Sequence, residues 1–302
     1  HCHWDAADDG NLTFSCRTNA AHPFRFVTGQ LTGSYDPEPA ATAKNVVVVG
    51  AGPAGLEAAR VAAERGHSVT LYEKKGSVGG LLEFANNVKG PHENLSVLRS
   101  YFERQMEVLG VNVMLNTEAT ADIIAEASPD IVIAATGGVR DTLGLSDTAG
   151  TKVVGIDDFM MANIAEEVVI VGSNVQAIDA AMYLLAQGKH VQVVTPNAAS
   201  AIGAGHSFWV KTFTQPNMKA LGVRFWPEAT VTAVNDGSVT VKTATGIEQE
   251  IACGTVVEAL DCLPNDSLST GLSCEVVTVG DAARPFNIGE AICSGNAAAR
   301  AI

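Results

Sequence analysis

Gly50, Gly52 and Gly55, in the segment GAGPAG, could do one kind of chemistry, which is to hold phosphate with backbone rather than side chains. In this fingerprint the first glycine allows a tight turn, the second lets backbone approach a pyrophosphate, and the third lets helix and strand pack closely. Pro53 and Ala54 complete the loop. Alone the pattern is weak. Here a hydrophobic strand precedes it, a helix N-terminus that favours anions follows it, and Glu73 answers it 18 residues after Gly55 (73 minus 55). An acid at that distance can accept hydrogen bonds from ribose hydroxyls, or it can be a solvated strand-end carboxylate beside Lys74 and Lys75; ribose binding is the expectation. Gly79 and Gly80 fit an ordinary loop or a second close approach of backbone to the dinucleotide, and we expect the second.

A weaker copy of the fingerprint starts at Gly172. It keeps the first glycine and a small third residue, Ala177, but has Asn174 in place of the second glycine. Its second strand ends at Thr195 and Pro196, with neither the acid expected for NAD nor an Arg placed for a 2′-phosphate, so a nicotinamide site here stays an open expectation. Cys253, Cys262, Cys274 and Cys293 have no CxxC or CxxxxC spacing for a dithiol relay and are expected to be buried small hydrophobes. His92, His190 and His206 are isolated, and Phe208, Trp209, Phe225 and Trp226 read as core.

The elements that must position these residues follow from periodicity. A β-branched run at 46–49, an Ala-rich helix to Arg65, a Gly66 stop and a strand at 69–72 make a βαβ unit with a buried parallel strand. A helix near 93–109, a strand at 111–115, a short helix at 121–127 and a strand at 131–134 continue the alternation. At Glu167 the plan restarts with VVIVG, a helix through Ala186, a Gly188 stop and the strand VQVVT. Past Gly222 short strands joined by Asn-Asp-Gly and Thr-Gly turns suggest hairpins. The strand VVTVGD and the final Ala-rich helix are expected to return to the first sheet. Residues 32–44, rich in Pro, Ala, Gly and Ser, read as a linker.

With 302 residues, two domains are expected. The formal charge of −14 offers no basic field for phosphate backbones or anionic lipid, so neither nucleic acid nor a membrane is an expected partner. The longest apolar run, 46–56, is broken by Gly and Pro and falls short of the ~20 residues a bilayer requires. Six scattered cysteines suit a reducing, cytoplasmic compartment. Starting at His1, the chain reads as part of a longer polypeptide.

The segments VVVVGAGPAGLEAARVAAERGHSVTLYEKKGSVGG, IVIAATGG and VTVGDAARPFNIGEAICSGNAAARAI, in that order, resemble the flavoprotein superfamily with two dinucleotide-binding domains. The resemblance implies that Thr136 and Gly137 mark the crossover between domains, that Gly280 and Asp281 reach the ribityl chain of FAD, and that the helix from Ile288 lies close to the flavin or pyrophosphate. Within the superfamily the chain is most similar to the C-terminal half of the NADH:flavin oxidoreductases typified by 2,4-dienoyl-CoA reductase and trimethylamine dehydrogenase. In those enzymes an FMN-holding TIM barrel precedes a four-cysteine cluster and a Cys-x-x-Asn turn. Cys2, Cys16 and Asn19 look like its third and fourth ligands and that turn, so a [4Fe–4S] cluster would be shared with upstream residues. A zinc site of His1, Cys2, His3 and Cys16, or no metal, are the alternatives.

The fold expected is α/β: two Rossmann-like dinucleotide-binding domains, the first split by insertion of the second, after a short N-terminal iron–sulfur-type segment. The expected boundaries are 1–43 for segment and linker, 44–145 plus 270–302 for the FAD (or ADP) domain, and 146–269 for the NAD(P)-binding-like domain. The resemblance implies a flavin-dependent oxidoreductase module, oligomeric, that relays electrons between NAD(P)H and an FMN/iron–sulfur partner of enoate reductase or amine dehydrogenase type. The alternative is an ADP-binding scaffold of a trimethylamine dehydrogenase-like enzyme that donates electrons to an electron-transfer flavoprotein.

Overall fold

The computed structural model describes residues 2–6, 12–16, 19–27, 30–32, 37–90, 94–204, 206, 208–268 and 272–302, with side chains from residue 37 onward outside 208–211. Two compact units emerge. One comprises His1–Asn86, Pro91–Val139 and Cys262–Ile302; the other comprises Asn87–Gly90 and Arg140–Asp261.

The first unit is built on strand Asn45–Val49, whose last four residues are all Val and all buried. A strand apolar on both faces belongs inside a parallel sheet covered by helices. Ser68–Tyr72 and then Asn112–Met114 lie to one side of it; Ile131–Ala134 and then Glu275–Thr278 lie to the other, and every pairing is parallel. Glu275–Thr278 thus returns from the far end of the sequence to the first sheet, as expected of a terminal segment too short to stand alone as a domain. Helices Pro53–Glu64 and Ile288–Ala301 pack together so closely that a Cβ on Gly295 would overlap the carbonyl oxygen of Ala54. The core beneath them joins Val46, Val48, Leu56, Val61, Leu71, Ile133 and Ile292. Upstream, strands Cys2–Ala6, Leu12–Cys16, Asn19–Val27 and Gln30–Thr32 form an antiparallel sheet, not read from the sequence, in which Cys2 stands opposite Cys16.

The second unit repeats the plan around Glu167–Val171. His190–Val194 and Arg224–Trp226 lie to one side, Thr255–Glu258 and Lys152–Gly155 to the other, again all parallel. A three-stranded antiparallel sheet of Ala229–Asn235, Ser238–Thr243 and Glu248–Ala252 precedes Thr255–Glu258. Two helices were not foreseen, Leu82–Lys89 and Phe208–Ala220. The second carries Pro216 in its interior, a residue that removes a backbone donor and argues against a helix when only sequence is read.

Where the helix Pro53–Glu64 hands over to strand Ser68–Tyr72, the backbone N–H of Lys44 donates to Nδ1 of His67 at 3.1 Å, while the buried Nε2 has no partner. His67 is 6% exposed. Desolvation, then the charges of Arg65 and Lys44, hold its pKa below 6.5. The unfolded chain therefore takes up a proton as pH falls through 6.5 while the folded chain does not, so stability is lost on the acid side. We expect the urea midpoint to fall between about pH 6.5 and 5, and to fall less in His67→Asn, whose amide oxygen can still accept from Lys44. Equal pH dependence in the two proteins would count against this assignment.

Candidate dinucleotide site

The glycine loop sits at the carboxyl end of the central strand, where the backbone turns sharply into helix Pro53–Glu64. Gly50 has φ +100, and a Cβ there would overlap the carbonyl oxygen of Ala135. A Cβ on Gly55 would overlap the carbonyl oxygen of Gly50. These two glycines are fixed by the protein's own packing. Gly52 is different: its φ is −76, ordinary for any residue, and a Cβ on it would meet nothing within 4 Å. As the N-cap of the helix it supplies no side-chain hydrogen bond, and Pro53 at the first helical position has no N–H to satisfy. The positive end of the helix dipole therefore faces open space, where an anion is favoured.

Glu73 ends the neighbouring strand and is 8% exposed. Its Oε2 accepts from the Ala51 N–H at 2.8 Å and its Oε1 from the Lys75 N–H at 2.8 Å, so the carboxylate is clamped to the glycine loop and to the turn after the strand. Each oxygen has about two acceptor sites, leaving one on each for ribose hydroxyls. Gly79 bonds back to the loop, its N–H donating to the carbonyl of Ala51 at 2.7 Å. Gly80, at φ +55, lies so close that a Cβ would stand 3.0 Å from the Cα of Gly52.

Thr136 follows Ala135 at the back of the loop, and its Oγ1 is buried with no partner, while the next residue, Gly137, has φ +78 and open space around a Cβ. Gly280 and Asp281 form a 3-10 turn just after strand Glu275–Thr278, with the Asp281 carbonyl oxygen 3.4 Å from where a Cβ on Gly138 would stand. Gly280 has φ +62, and a Cβ there would stand 2.7 Å from the Cβ of Ala54. Asp281 Oδ1 accepts from the Phe286 N–H at 3.2 Å. Ile288 opens the final helix, capped by Asn287, and packs against the first core. A glycine with an empty approach and a carboxylate with acceptor sites to spare fit the ADP portion of a dinucleotide, and the unpartnered buried hydroxyl of Thr136 leaves a polar atom for the rest of it.

Support for the loop comes from residues the sequence reading passed over. Glu57, 3% exposed, takes a bidentate pair of bonds from Arg60 at 2.9 Å each and a third from Asn296 Nδ2 at 2.7 Å, and Arg300 Nε donates to Asn296 Oδ1 at 2.8 Å. Burial works against the Arg60 charge, but the hydrogen bond to Glu57 and its charge overcome it, holding the guanidinium above its usual range. Charged residues three apart in an otherwise Ala-rich helix were the available signal.

In the second unit Gly172 has φ +140, with the carbonyl oxygen of Ala259 where a Cβ would be, and Asn174 caps helix Val175–Ala186. Of the four cysteines expected to be buried, Cys253 is, its thiol pushed up to about 11 by burial; Cys262 and Cys274 are half-buried and Cys293 is exposed, a correction for those three. An Ala-rich helix gives little periodic contrast, so the face holding Cys293 could not be told from its sequence. His190 is exposed and paired with Glu167, and His206 Nε2 lies 3.3 Å from Asp179 Oδ1. Trp226 is buried and Phe225 half-buried, whereas His92 and the side chains of Phe208, Trp209, Cys2 and Cys16 lie outside the described residues. The iron–sulfur ligation expected at Cys2 and Cys16 lies outside them too.

A parallel five-stranded sheet whose central strand runs through a glycine loop into a helix, with an acid ending the next strand, defines a Rossmann-like dinucleotide-fold protein. This chain has two five-stranded parallel sheets of that plan, of which only the first has the acid. The chain belongs to the pyridine nucleotide-disulphide oxidoreductase family, which it matches over residues 44–281. It is 36% identical to NADH oxidase of Thermoanaerobacter brockii over 61% of this chain and 28% of the relative. To cinnamate reductase of Clostridium sporogenes it is 39% identical over 50% of this chain and 23% of the relative. The chain thus spans about a quarter of these relatives' length. A solved 2-naphthoyl-CoA reductase superposes with TM-score 0.77 at 33% identity, covering 89% of this chain and 41% of that one. The fold is shared with histamine dehydrogenase from Rhizobium sp. 4-9, TM-score 0.79 at 24% identity, covering 96% and 48%. These likenesses fit the C-terminal part of the NADH:flavin oxidoreductase and trimethylamine dehydrogenase-like enzymes. Among the described residues no helix is long and apolar enough to cross a membrane.

Proposed function

We propose that residues 44–145 with 270–302 bind FAD and that the chain is the electron-transfer part of an enoate reductase or amine dehydrogenase type of enzyme. The observation that carries this reading is Gly52, whose backbone stands open at an uncapped helix start while the glycines on either side are locked by packing. The backbone at Gly52, Ala54 and Gly55 would hold the pyrophosphate, Glu73 the adenosine ribose, and Gly79 and Gly80 the far wall of the cradle. Thr136 and Gly137, with Gly280, Asp281 and the helix start at Ile288, would face the flavin half. Bound FAD supplies a flavin able to exchange hydride with one partner and single electrons with another.

The protein's contribution is placement: Glu57, Arg60 and Asn296 fix the loop's helix against the final helix, so the loop keeps its shape with or without ligand. An FMN-binding TIM-barrel domain with an iron–sulfur centre is the proposed partner, with residues 1–43 leading to it and Cys2 and Cys16 contributing to the centre. The names of the relatives, reductases and dehydrogenases spanning far more than this chain's length, support that arrangement. The nicotinamide half of a relay would rest on residues 146–269, where Asn174 argues against it.

A visible spectrum decides the cofactor. The purified chain, or the chain reconstituted with FAD, is expected to show flavin absorbance near about 450 nm with FAD released on denaturation, as the cofactor rather than the protein carries the chromophore. ADP released without flavin absorbance would overturn FAD in favour of an adenine-nucleotide scaffold serving a barrel dehydrogenase and its electron-transfer flavoprotein.

A further inference from the structure

Positions 50, 52 and 55 of the first loop correspond to 172, 174 and 177 of the second, yet the two helix starts differ in what satisfies them. We infer that the second loop is closed on its own Asn174 side chain, and that this unit does not hold the pyrophosphate of NADH or NADPH. Oδ1 of Asn174 accepts from the Ala177 N–H at 2.9 Å, taking the first-turn donor that a phosphate oxygen would use. Its Nδ2 donates to the carbonyls of Ala259 and Leu260 and to Asp261 Oδ1, each at 3.1 Å. A pyrophosphate would have to displace the cap and these donations together, and would meet a Cβ where the first loop presents bare backbone.

Three further features agree. Gly172 survives for packing, since a Cβ there would overlap the carbonyl oxygen of Ala259, so its retention is no sign of a ligand. In place of Glu73 the second unit has Thr195, 0% exposed, whose Oγ1 donates to Ser173 Oγ at 3.1 Å; Asn197 Nδ2 donates to the same oxygen at 3.0 Å. These hydroxyls are engaged with one another and supply no carboxylate for a ribose. Arg140, which reaches Gln176 Oε1 in the first helical turn, is held by both oxygens of Asp157 at 2.9 and 2.7 Å, so its charge is already answered.

Hydrogen exchange of the 302-residue chain tests this locally. With NADH or NADPH added at about 1 mM, at the top of the usual range of substrate affinities, amides of residues 172–180 are expected to change by less than about twofold. Asn174→Gly, which restores the second glycine, is expected to gain about tenfold protection in that peptide with at least one of the two nucleotides. Protection of 172–180 in the wild-type chain overturns the inference. So does a folded N174G variant, its melting temperature close to wild type, that gains nothing. If N174G does not fold, the wild-type exchange decides alone: protection overturns the inference and its absence supports it. The peptide readout separates this loop from any nucleotide bound at Gly50–Gly55, and the result does not depend on whether the first unit carries FAD.

Discussion

Gly52→Ala is expected to leave the fold intact and to weaken FAD binding by about 100-fold, a cost of about 2.7 kcal/mol. The added methyl meets no protein atom within 4 Å, and φ −76 is comfortable for Ala, so stability should change by no more than about 1 kcal/mol. The methyl does occupy the space through which backbone would meet the pyrophosphate. Gly55→Ala is the contrasting case. Its Cβ would overlap the Gly50 carbonyl oxygen, which is backbone and cannot swing aside, so destabilisation of about 3 kcal/mol is expected before any ligand is considered. Thermal melts paired with FAD titration of each apoprotein check both. A G52A chain that binds FAD like wild type would remove the observation on which the proposed function stands.

Glu57→Ala should destabilise the first unit by about 3–5 kcal/mol, the scale for removing one partner of a buried ion pair. With Glu57 gone, Arg60, 8% exposed, keeps only the bond from its Nη1 to Glu64, and the Asn296 Nδ2 loses its acceptor. Because burial opposes the Arg60 charge and Glu57 is the largest of the groups that offset it, the loss comes mainly from a stranded charge. The double change of Glu57 and Arg60 to Leu should recover most of the stability, since it removes both charges at once. Urea unfolding of the single and double variants measures this as a cycle. Equal destabilisation by the single and the double change would show that packing, not charge, joins the two helices.

Much of the first unit was legible because its information is local. A run of Val residues, three glycines at fixed spacing and an acid at the end of the next strand lie within 29 positions (45 to 73), and backbone sterics alone translate them into strand, turn and helix. The return of Glu275–Thr278 to the first sheet was legible because one strand and one helix at the end of the sequence are too little to bury a core of their own. Helix Phe208–Ala220 was hidden by Pro216, which propensity counts against a helix that tertiary packing nonetheless retains. Helix Leu82–Lys89 follows directly on Gly79 and Gly80, whose punctuation read as loop.

The candidate site divides along the same line. Its glycines, Glu73 and the substitution of Asn174 could be located by spacing. What each glycine is for could not be told, because Gly50, Gly55 and Gly172 answer to carbonyl oxygens of other segments, and only coordinates show that Gly52 answers to nothing in the protein. Likewise Asn174 read simply as a less comfortable second glycine, while its four hydrogen bonds, three of them to residues some 85 positions away, turn it into a plug. The sequence by itself determined the α/β plan, its repeat and the place of the nucleotide loop, since short-range periodicity and backbone sterics suffice for these. The tertiary structure alone decided which loop is open and which is closed, and that Glu57 and Asn296 tie one helix to another, since these depend on polar partners that chain folding brings together from far apart.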